Sequence, residues 1–321
     1  MALTEFDFIR QYLQRRQHND GIILGIGDDA AVVRPRAGYD LCFSSDMLVK
    51  GRHFFADVKP DDLAWKVLAV NISDMAAMGA VPKWVLLSAG LPALSDTWLD
   101  AFCSTFFELA DRFGITLIGG DTVCGDLVFN VTIAGELPLG QALRRDAAQI
   151  GDDIWLSGRV GLAAAALQYC MGNIRLSDET AAECMAVLLR PEPRVALGCA
   201  LLPFAHAALD VSDGLAQDLG HILNASGVGA EIRMDWLPTP SQLYQELPVQ
   251  QVRQLMLGGG DDYELVFTAP VSKRQAVLEA GRTSDTALTR IGSINDTGRL
   301  NISDGQGNKL QFSLSGFDHF G

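Results

Sequence analysis

The chain has 321 residues, of which 48% are apolar and 20% charged, enough apolar material for one large or two medium globular domains. Its formal net charge of −14 disfavours nucleic acid and anionic membranes as partners, because both require a basic face, and it suits a protein that binds several divalent cations. No apolar run approaches the roughly 20 residues of a membrane span, and the mixture of acidic and apolar residues in MALTEFDFIRQYLQRR is not that of a signal peptide.

Hydrophobic periodicity predicts three helices and several short strands in the first half of the chain. The predicted elements are helices over 5–17, 61–78 and 96–113, and strands over 30–33, 41–45, 84–89, 115–118 and 127–134. Pro138, Gly140 and Gly151 then interrupt the apolar pattern, which predicts a domain boundary between 137 and 151. We therefore expect a domain of residues 1–140 and a second of residues 141–321.

The second half begins again with a strand and continues with alternating helices and strands. The predicted elements are strands over 154–156, 207–211, 229–234 and 263–269, and helices over 162–169, 180–189 and from Ser212-Asp213-Gly214 to about residue 226. Thr180 and Glu183 have the spacing of a capping box. The strand spacing predicts an α/β protein of the α+β type, without strict βαβ alternation.

The six cysteines are scattered and contain no CxxC pair, which predicts reduced thiols in a cytoplasmic protein. They are Cys42, Cys103, Cys124, Cys170, Cys184 and Cys199.

Several aspartates lie among Ile, Val, Leu and Ala rather than among the polar residues that usually surround surface acids. They are Asp28, Asp29, Asp46, Asp74, Asp121, Asp210 and Asp213. This pattern predicts carboxylates at the carboxyl ends of buried strands or at helix starts, where ligand sites concentrate. Carboxylates are ligands for hard cations such as Mg²⁺, and Ser44 and Ser45 can add oxygen atoms. The sequence thus predicts a cleft in which several Mg²⁺ ions meet a polyphosphate.

Taken singly, some of these acids have simpler interpretations. Asp61 is typical of a helix cap, Asp210 and Asp213 suit a turn, and Asp28-Asp29 can be a solvated turn. Asp74 differs, because it lies on the otherwise apolar face of a predicted helix whose only basic residue, Lys66, is two turns earlier. A buried anion there needs a positive partner. Recurrence of the pattern in five segments favours a shared cation site.

The segment Gly25–Ala30 fits the dinucleotide-binding pattern G-x-G-x-x-A, with Asp46 downstream. A pyrophosphate should meet bare N–H groups at a helix start, but two carboxylates occupy that position here. The following residues, 31–35, predict a strand and then a break. We therefore expect no Rossmann site, and the absence of GxxxxGK[ST] argues against a P-loop.

Seven segments together resemble the thiamine-monophosphate kinase family, which belongs to the superfamily of aminoimidazole ribonucleotide synthetase and selenophosphate synthetase. In chain order they are GIGDDAAV, SSDMLVKGRHF, AVNISDMAAMGA, IGGDT, LDVSDGL, GGGDDYELVF and the closing GFDHF. The resemblance implies a two-domain fold like that of aminoimidazole ribonucleotide synthetase, each domain a mixed sheet with packed helices. It implies ATP-dependent phosphorylation of thiamine monophosphate to thiamine diphosphate, the last step of thiamine diphosphate biosynthesis.

The resemblance also implies a homodimer, with the strand over 127–134 as a candidate edge interface, and an N-terminal domain that binds ATP and Mg²⁺ while the C-terminal domain completes the cleft. The implied Mg²⁺ ligands are Asp29, Ser44, Ser45, Asp46, Asp74, Asp121, Asp210 and Asp213. The implied ATP contacts are Gly120, Asp121, Arg145 and Ser212, and the implied thiamine phosphate contacts are His53, Asp261 and Phe317. No acid–base residue is expected, because a phosphate acceptor is already ionised.

Three positions depart from the family pattern. Asp261 stands where the family has Glu, Phe317 where it often has Trp or Tyr, and Cys103 where some relatives have a Tyr near the adenine. His53 has an alternative role as a partly buried hydrogen-bonding residue. Two other functions remain open from the residues: a sister enzyme that makes an acyl- or seleno-phosphate, and a non-catalytic protein that binds divalent cations. The lack of an N-terminal Cys–Lys pair before Cys42 argues against a selenophosphate synthetase.

Overall fold

A computed structural model describes residues 7, 9–14 and 21–310 of the chain. The chain divides into two compact units, one formed by Met1–Met75 and Ala80–Gln141, the other by Ala76–Gly79 and Ala142–Gly321. Of the predicted helix over 5–17, the structure describes residues 7 and 9–14, in which Ile9–Leu13 form a short π-helical turn.

The first unit contains six strands and two long helices in its described part. In chain order they are β1 (Ile22–Leu24), β2 (Val32–Val33), β3 (Tyr39–Val49), α1 (Pro60–Met78), β4 (Val81–Leu91), α2 (Asp96–Arg112), β5 (Thr116–Cys124) and β6 (Val128–Pro138). β1 and β2 form an antiparallel hairpin, and the other four strands form a sheet in the order β3-β6-β4-β5. Only the β4–β5 pair is parallel.

One face of the four-stranded sheet carries the helices. Phe129 on β6 stacks against Phe102 of α2 with ring centroids 4.7 Å apart, and α1 is buried almost all round, with Leu63, Leu68 and Ile72 fully inaccessible. The alternation of side chains along each strand then directs the intervening residues to the opposite face.

The opposite face exposes large apolar side chains on three of its strands. They are Phe43 at 64% exposure, Met47 at 56%, Leu86 at 39% and Val123 at 55%. We call this set the open face of the sheet. Several large apolar side chains exposed on one face of a sheet are typical of an interaction surface.

Two strand predictions for this unit were wrong. The predicted edge strand over 127–134 is the central strand β6, paired with β3 on one side and β4 on the other, so its backbone cannot form an edge interface. β3 and β5 are also longer than expected, which places Asp46 and Asp121 inside strands instead of just beyond their ends. Both strands continue through polar and glycine residues, which the local pattern predicts to end a strand, because each is paired continuously with its neighbour.

The second unit is built on a six-stranded sheet in the order β12-β9-β11-β7-β10-β8. Its strands are β7 (Asp153–Ser157), β8 (Ala207–Asp210), β9 (Gly229–Arg233), β10 (Leu265–Ala269), β11 (Leu288–Asn295) and β12 (Leu300–Ser303). Its helices are α3 (Leu162–Cys170), α4 (Asp178–Leu189), α5 (Val195–Leu201), α6 (Leu215–Ser226), α7 (Ser241–Glu246), α8 (Val249–Gly258) and α9 (Arg274–Thr283). Only β9 and β12 pair in parallel.

Helices cover both faces of this sheet. α3, α4, α6 and α8 pack on one face against residues such as Leu156 and Val266. α5 and α9 pack on the other against Trp155 and Phe267. Two mixed sheets with packed helices confirm the predicted fold class.

The start of α4 differs from the predicted capping box. Ser177 is the N-cap residue, and its Oγ accepts a hydrogen bond from the Thr180 N–H at 3.3 Å. Thr180 Oγ1 donates instead to Glu246 at 2.6 Å. The helix begins two residues earlier than predicted because Ser177 has the better-placed cap oxygen.

Among the residues that the structure describes, no helix combines the length and the hydropathy needed to cross a bilayer.

Candidate functional site

In the first unit, strand β3 and helix α1 bring three of the predicted ligands to one place. Ser44 Oγ donates a hydrogen bond to Asp74 Oδ2 at 2.5 Å. Ser44 and Asp46 are two residues apart on β3 and therefore face the same side of the sheet. All three side chains offer oxygen atoms, the donors that Mg²⁺ prefers. They are half-buried, in keeping with a site at the margin of the core.

Two asparagines hold the backbone of Asp46. The Oδ1 atom of Asn71, a fully buried residue of α1, accepts the Asp46 N–H at 3.1 Å, and its Nδ2 donates to Val67 O of the same helix at 3.0 Å. Asn130 Nδ2 on β6 donates to the Asp46 carbonyl at 3.2 Å and to Ser45 Oγ at 3.2 Å. The peptide groups on both sides of this aspartate are thus fixed by neutral amide side chains.

The Asp74 carboxylate affects the pKa of a neighbouring thiol, that of Cys42. Cys42 precedes Ser44 by two residues on β3, and burial first and then the Asp74 charge raise the pKa of this thiol above its ordinary value. The second of these causes places the Asp74 carboxylate within electrostatic reach of β3.

Ser45 lies on the other side of β3, on the open face. Its hydroxyl contacts Thr132 Oγ1 at 3.0 Å. In the sheet register, Met47, Asn130, Ser88 and Asp121 form one row across the four strands. At a strand spacing of about 4.8 Å, β3 and β5 are about 14 Å apart along the sheet. Ser45 and Asp121 therefore share a face with each other and not with Ser44, and one cation cannot bridge this span by itself.

Gly120, beside Asp121, is required by the backbone. Its φ is +146°, and a Cβ atom there would lie 1.8 Å from Leu87 O on β4. Only glycine lets β5 lie this close to β4. The residue expected to contact ATP thus also has a packing role.

His53 follows β3, and its Nδ1 accepts the Val49 N–H at 3.0 Å. This assigns the proton of the neutral ring to Nε2. The imidazole is half-buried and oriented by the backbone. An Nε2–H in this orientation is a suitable donor to a phosphate oxygen.

Asp29 is exposed in the segment between β1 and β2. Its N–H is bonded to Asp28 Oδ1 at 2.9 Å. β2 follows this segment, and no helix begins there. The absence of a helix start at residues 25–33 confirms that the dinucleotide-binding pattern is coincidental.

In the second unit, the predicted ligands lie at the end of β8. Asp210 is the last residue of this strand and is 5% exposed, and Ser212, Asp213 and Gly214 form the turn before α6. We call these three residues the SDG turn. Gln217 Nε2 donates to the Asp213 carboxylate at 3.3 Å.

The SDG turn is bonded along its backbone to the loop that carries Asp261. The Asp261 N–H donates to Ser212 O at 2.9 Å, the Tyr263 N–H to Val211 O at 2.9 Å, and the Val211 N–H to Glu264 O at 2.7 Å. These bonds couple the expected ATP-contacting turn to the expected substrate-contacting loop.

The loop after α8 has an unusual backbone. Asp261 has a φ of +67° and Tyr263 a φ of +52°, the left-handed region that non-glycine residues seldom adopt. Non-glycine residues in this region concentrate at functional sites. Tyr263 Oη also lies 3.4 Å from Asp261 Oδ1.

The two acids that follow Asp261 have structural roles. Asp262 is 3% exposed and accepts hydrogen bonds from Gly161 N at 2.7 Å and Ala163 N at 3.3 Å, which caps helix α3 from a distant loop. Burial raises its pKa well above the ordinary value, against the lowering effect of these bonds. Glu264 forms a bidentate pair with Arg194, with N–O distances of 2.8 and 2.5 Å, and also accepts a hydrogen bond from Ser157 Oγ.

Asp218, in the first turns of α6, was not predicted. It is 2% exposed, and its Oδ2 accepts the N–H groups of Asp213 at 3.1 Å and Gly214 at 3.0 Å. Burial first, and then the charge of Asp213, raise the pKa of Asp218 to about 7. The carboxylates of Asp213 and Asp218 and a ring nitrogen of His221 lie within 4.8 Å of one another, and in the described part of the chain no other three His, Cys, Asp or Glu side chains have this geometry.

Arg145 is exposed, and its carbonyl accepts a hydrogen bond from Ser226 Oγ at 3.0 Å, while its neighbour Arg144 pairs with Asp146. Phe317, the expected aromatic contact, lies outside the described residues. Asn71, Asn130 and Asp218 were missed because their partners are distant in sequence or, for Asp218, because a capping acid gives no separate signal.

Comparison with known proteins identifies the family. Residues 27–137 match the AIR synthase related protein, N-terminal domain, and residues 149–305 match the AIR synthase related protein, C-terminal domain. Thiamine-monophosphate kinase of Salmonella typhimurium is 41% identical over 324 residues, covering 100% of this chain and 99% of that protein.

Two solved structures are similar throughout. Thiamine-monophosphate kinase from Stenotrophomonas maltophilia is 46% identical, with a TM-score of 0.85 over 97% of this chain and 99% of that one. A structure described as AaThiL complexed with AMPPCP and TMP is 28% identical, with a TM-score of 0.76 over 92% of each chain. The chain is therefore a kinase that belongs to the thiamine-monophosphate kinase family of AIR synthase related proteins.

Proposed function

We propose that the chain transfers the γ-phosphoryl group of ATP to the phosphate of thiamine monophosphate, yielding ADP and thiamine diphosphate. The observation that carries this proposal is the full-length similarity to a structure described as complexed with AMPPCP and TMP. AMPPCP is an ATP analogue whose methylene bridge prevents transfer, so a complex with it and the second ligand corresponds to the state before reaction.

The oxygen-rich contacts of the first unit fit divalent cations. Ser44, Asp46 and Asp74 offer hydroxyl and carboxylate oxygens on one face, and hard cations are usually held by one or two carboxylates together with substrate phosphates. The full set that we assign to several Mg²⁺ ions is Asp29, Ser44, Ser45, Asp46, Asp74, Asp121, Asp210 and Asp213. When bound, these ions neutralise the charge that develops on the transferred phosphoryl group.

The remaining assignments concern ATP and the acceptor. Gly120, Asp121, Arg145 and Ser212 are proposed to contact ATP. His53, Asp261 and Phe317 are proposed to contact thiamine monophosphate. Support comes from His53, whose Nδ1 bond to Val49 leaves the proton on Nε2, and from the strained backbone of Asp261.

We propose direct in-line transfer with no phosphoenzyme. An oxygen of the acceptor phosphate forms a bond to the γ-phosphorus while the bond from that phosphorus to the β,γ-bridging oxygen breaks, and ADP leaves. The acceptor is ionised near neutral pH, so no general base is needed. The protein's part is to orient the two substrates and exclude water.

We include a homodimer in a cytoplasmic setting in this proposal. The open face, with Phe43, Met47, Leu86 and Val123 exposed, replaces the β6 edge as the surface for the second copy. None of the six cysteines, all within the described residues, forms a disulfide bond, which suits a reducing compartment. Light scattering on the purified protein measures its mass, and a monomer would remove the dimer from the proposal.

An assay of ADP release with and without thiamine monophosphate tests the function. We expect turnover that depends on this acceptor and on Mg²⁺. ATP hydrolysis with other acceptors would favour a sister enzyme, and cation binding without turnover would favour a non-catalytic protein. Inversion at phosphorus with chiral γ-phosphorothioate ATP is expected for in-line transfer, and net retention contradicts it.

Asp74→Asn tests the metal assignment. The control is Glu279→Gln, which removes the same charge from an exposed residue of α9. Asp74→Asn should lower kcat/KM about 10²- to 10³-fold, as loss of a preorganised electrostatic group typically does. The half-saturating Mg²⁺ concentration should rise in the same variant. Equal effects of both substitutions would show that Asp74 has no special role.

A further inference from the structure

We propose that Asp218 is a positioning residue for the SDG turn: its carboxylate holds the backbone N–H groups of Asp213 and Gly214 and so fixes the direction in which the Asp213 side chain points. The inference rests on the proposed function only in that Asp213 and Ser212 are taken to meet the metal and ATP. The hydrogen bonds themselves are independent of that assignment.

The geometry of Asp218 is specific to this turn. It is the fourth residue of α6, and one oxygen, Oδ2, accepts both N–H groups, at 3.1 Å from Asp213 and 3.0 Å from Gly214. Backbone N–H groups at a helix start have no intrahelical partner. A side chain that is 2% exposed takes up both. The last two residues of the SDG turn are therefore tied to the helix that follows them.

A helix cap alone does not account for a carboxylate at this position. Asp218 is buried next to a second carboxylate, that of Asp213, and the proximity of two like charges away from water costs free energy. A Ser, Thr or Asn side chain caps a helix without that cost. Hydrogen bonds from N–H groups to a carboxylate are, however, shorter and stronger than those to a neutral oxygen. Asp218 thus holds the turn more firmly than a neutral cap would, but at the cost of repulsion between its carboxylate and that of Asp213. Such local costs are usual at functional sites.

The other side of the turn is held by a different segment. The Ser212 carbonyl accepts the Asp261 N–H at 2.9 Å, and a Cβ atom on Gly260 would lie 2.3 Å from that same carbonyl oxygen. The carbonyl side is thus held by close packing, and the N–H side by Asp218. Removing the Asp218 carboxylate should free the N–H groups of Asp213 and Gly214 while leaving the hydrogen bond from Asp261 to the Ser212 carbonyl in place.

Amide hydrogen exchange gives a direct test in the full-length protein. In Asp218→Ala, the amides of Asp213 and Gly214 should exchange about tenfold faster than in the wild type, the effect expected for the loss of one net hydrogen bond. Asp218→Asn keeps an acceptor oxygen of similar position but not the charge, and it should restore exchange in part, to within about threefold of the wild type. Unchanged exchange of both amides in Asp218→Ala overturns the proposal.

Kinetics separate positioning from capping. Asp218→Ala should raise the half-saturating Mg²⁺ concentration and the KM for ATP by about five- to tenfold, and Asp218→Asn should recover most of this. The matched control is Ser177→Ala, which removes the N-cap oxygen of α4 in the same unit. It should lower the melting temperature without changing either constant.

Two results distinguish failure of the positioning role from failure of the proposed function. If Asp218→Ala speeds exchange but leaves the Mg²⁺ dependence as in Ser177→Ala, Asp218 is only a cap and the positioning role is wrong. If the wild-type protein shows no turnover of thiamine monophosphate, the proposed function fails. Calorimetric measurement of Mg²⁺ binding to the wild type, Asp218→Ala and Ser177→Ala still decides the role of Asp218.

Discussion

The two units support their predicted ligands in different ways. In the first unit, Asp46 and Ser44 lie within a long strand. The Asn71 amide and a hydroxyl–carboxylate bond tie that strand to α1, and the Asn130 amide ties it to β6. In the second, Asp210 and Asp213 lie at a strand end and in a turn, where buried acids and backbone hydrogen bonds hold them.

This difference has a physical consequence. Amide side chains do not titrate, so the ligand strand of the first unit should keep its geometry over a wide pH range. The second unit depends on buried carboxylates and on the pairs Glu264–Arg194 and Asp153–Arg274. Its stability should therefore respond more strongly to removal of one partner of a charged pair, and the part of it that depends on the lowered pKa of Asp153 should decrease as the pH falls.

The largest expected effect is a difference in unfolding free energy between variants that each break one ion pair, one pair in each unit. Glu264→Gln should cost about 3 kcal/mol of unfolding free energy, because Arg194 and Glu264 are 21% and 9% exposed and a buried guanidinium would lose its partner. Glu136→Gln in the first unit should cost about 1 kcal/mol, because its partner Arg36 is 51% exposed and water replaces the lost contact. Urea unfolding of both variants measures the difference, and equal costs would contradict the comparison.

The next effect concerns the amides that hold Asp46. Asn71→Ala should destabilise the first unit by about 2 kcal/mol, since it leaves the Asp46 N–H and the Val67 carbonyl without this buried partner. Asn130→Ala, at a half-buried position, should cost about 0.5 kcal/mol because water can reach the freed groups. Denaturation between pH 6 and 8 should give the same two values. A pH-dependent difference would show that the first unit also relies on titrating groups.

The smallest expected effect is the acid response of the second unit. Burial alone raises the pKa of Asp153, but hydrogen bonds and charges from Arg274 and Arg290 outweigh it and lower this pKa below the ordinary value. A lowered folded-state pKa gives stability that is present above the unfolded-state pKa of about 4 and is lost as the pH falls through the folded-state value.

Asp153→Asn should thus cost about 1 kcal/mol at pH 7, a value reduced by the partial exposure of both arginines. The gap to the wild type should close as the pH falls below about 4. Thermal unfolding at pH 7, 5 and 3 measures it. A gap that stays constant down to pH 3 would show that the Asp153 charge does not contribute.

Local pattern was sufficient for α1, α2, α3, α4 and α6 and for the order of the motifs, but α5, α7, α8 and α9 were not predicted. The helix over Leu215–Ser226 follows directly on the predicted Ser212-Asp213-Gly214 opening and ends at the predicted residue, because Gly227, with a φ of +68°, terminates it. Asp74 was recognised because helical spacing alone places a carboxylate on an apolar face. The mixed α/β class followed from strand spacing and was confirmed.

Features that depend on pairing between distant segments were not predictable. β5 continues through Gly119 and Gly120 because β4 pairs with it, and β6 is central because β3 and β4 both pair with it. Asn71 supports Asp46 across 25 residues, and Asp262 caps α3 across about 100. A short sequence window contains at most one of the two partners of such a contact.

The sequence by itself determined which residues carry charge and oxygen ligands, that α1 to α4 and α6 are helical, and which family the motifs resemble, because these depend on side-chain chemistry and on spacings of three or four residues. Tertiary structure alone decided that Ser44 and Ser45 face opposite sides of β3, that the open face and not the β6 edge is exposed, and that Asp218 holds the SDG turn. These are outcomes of strand register and packing, in which the stability of each contact depends on a partner brought near only by the completed fold.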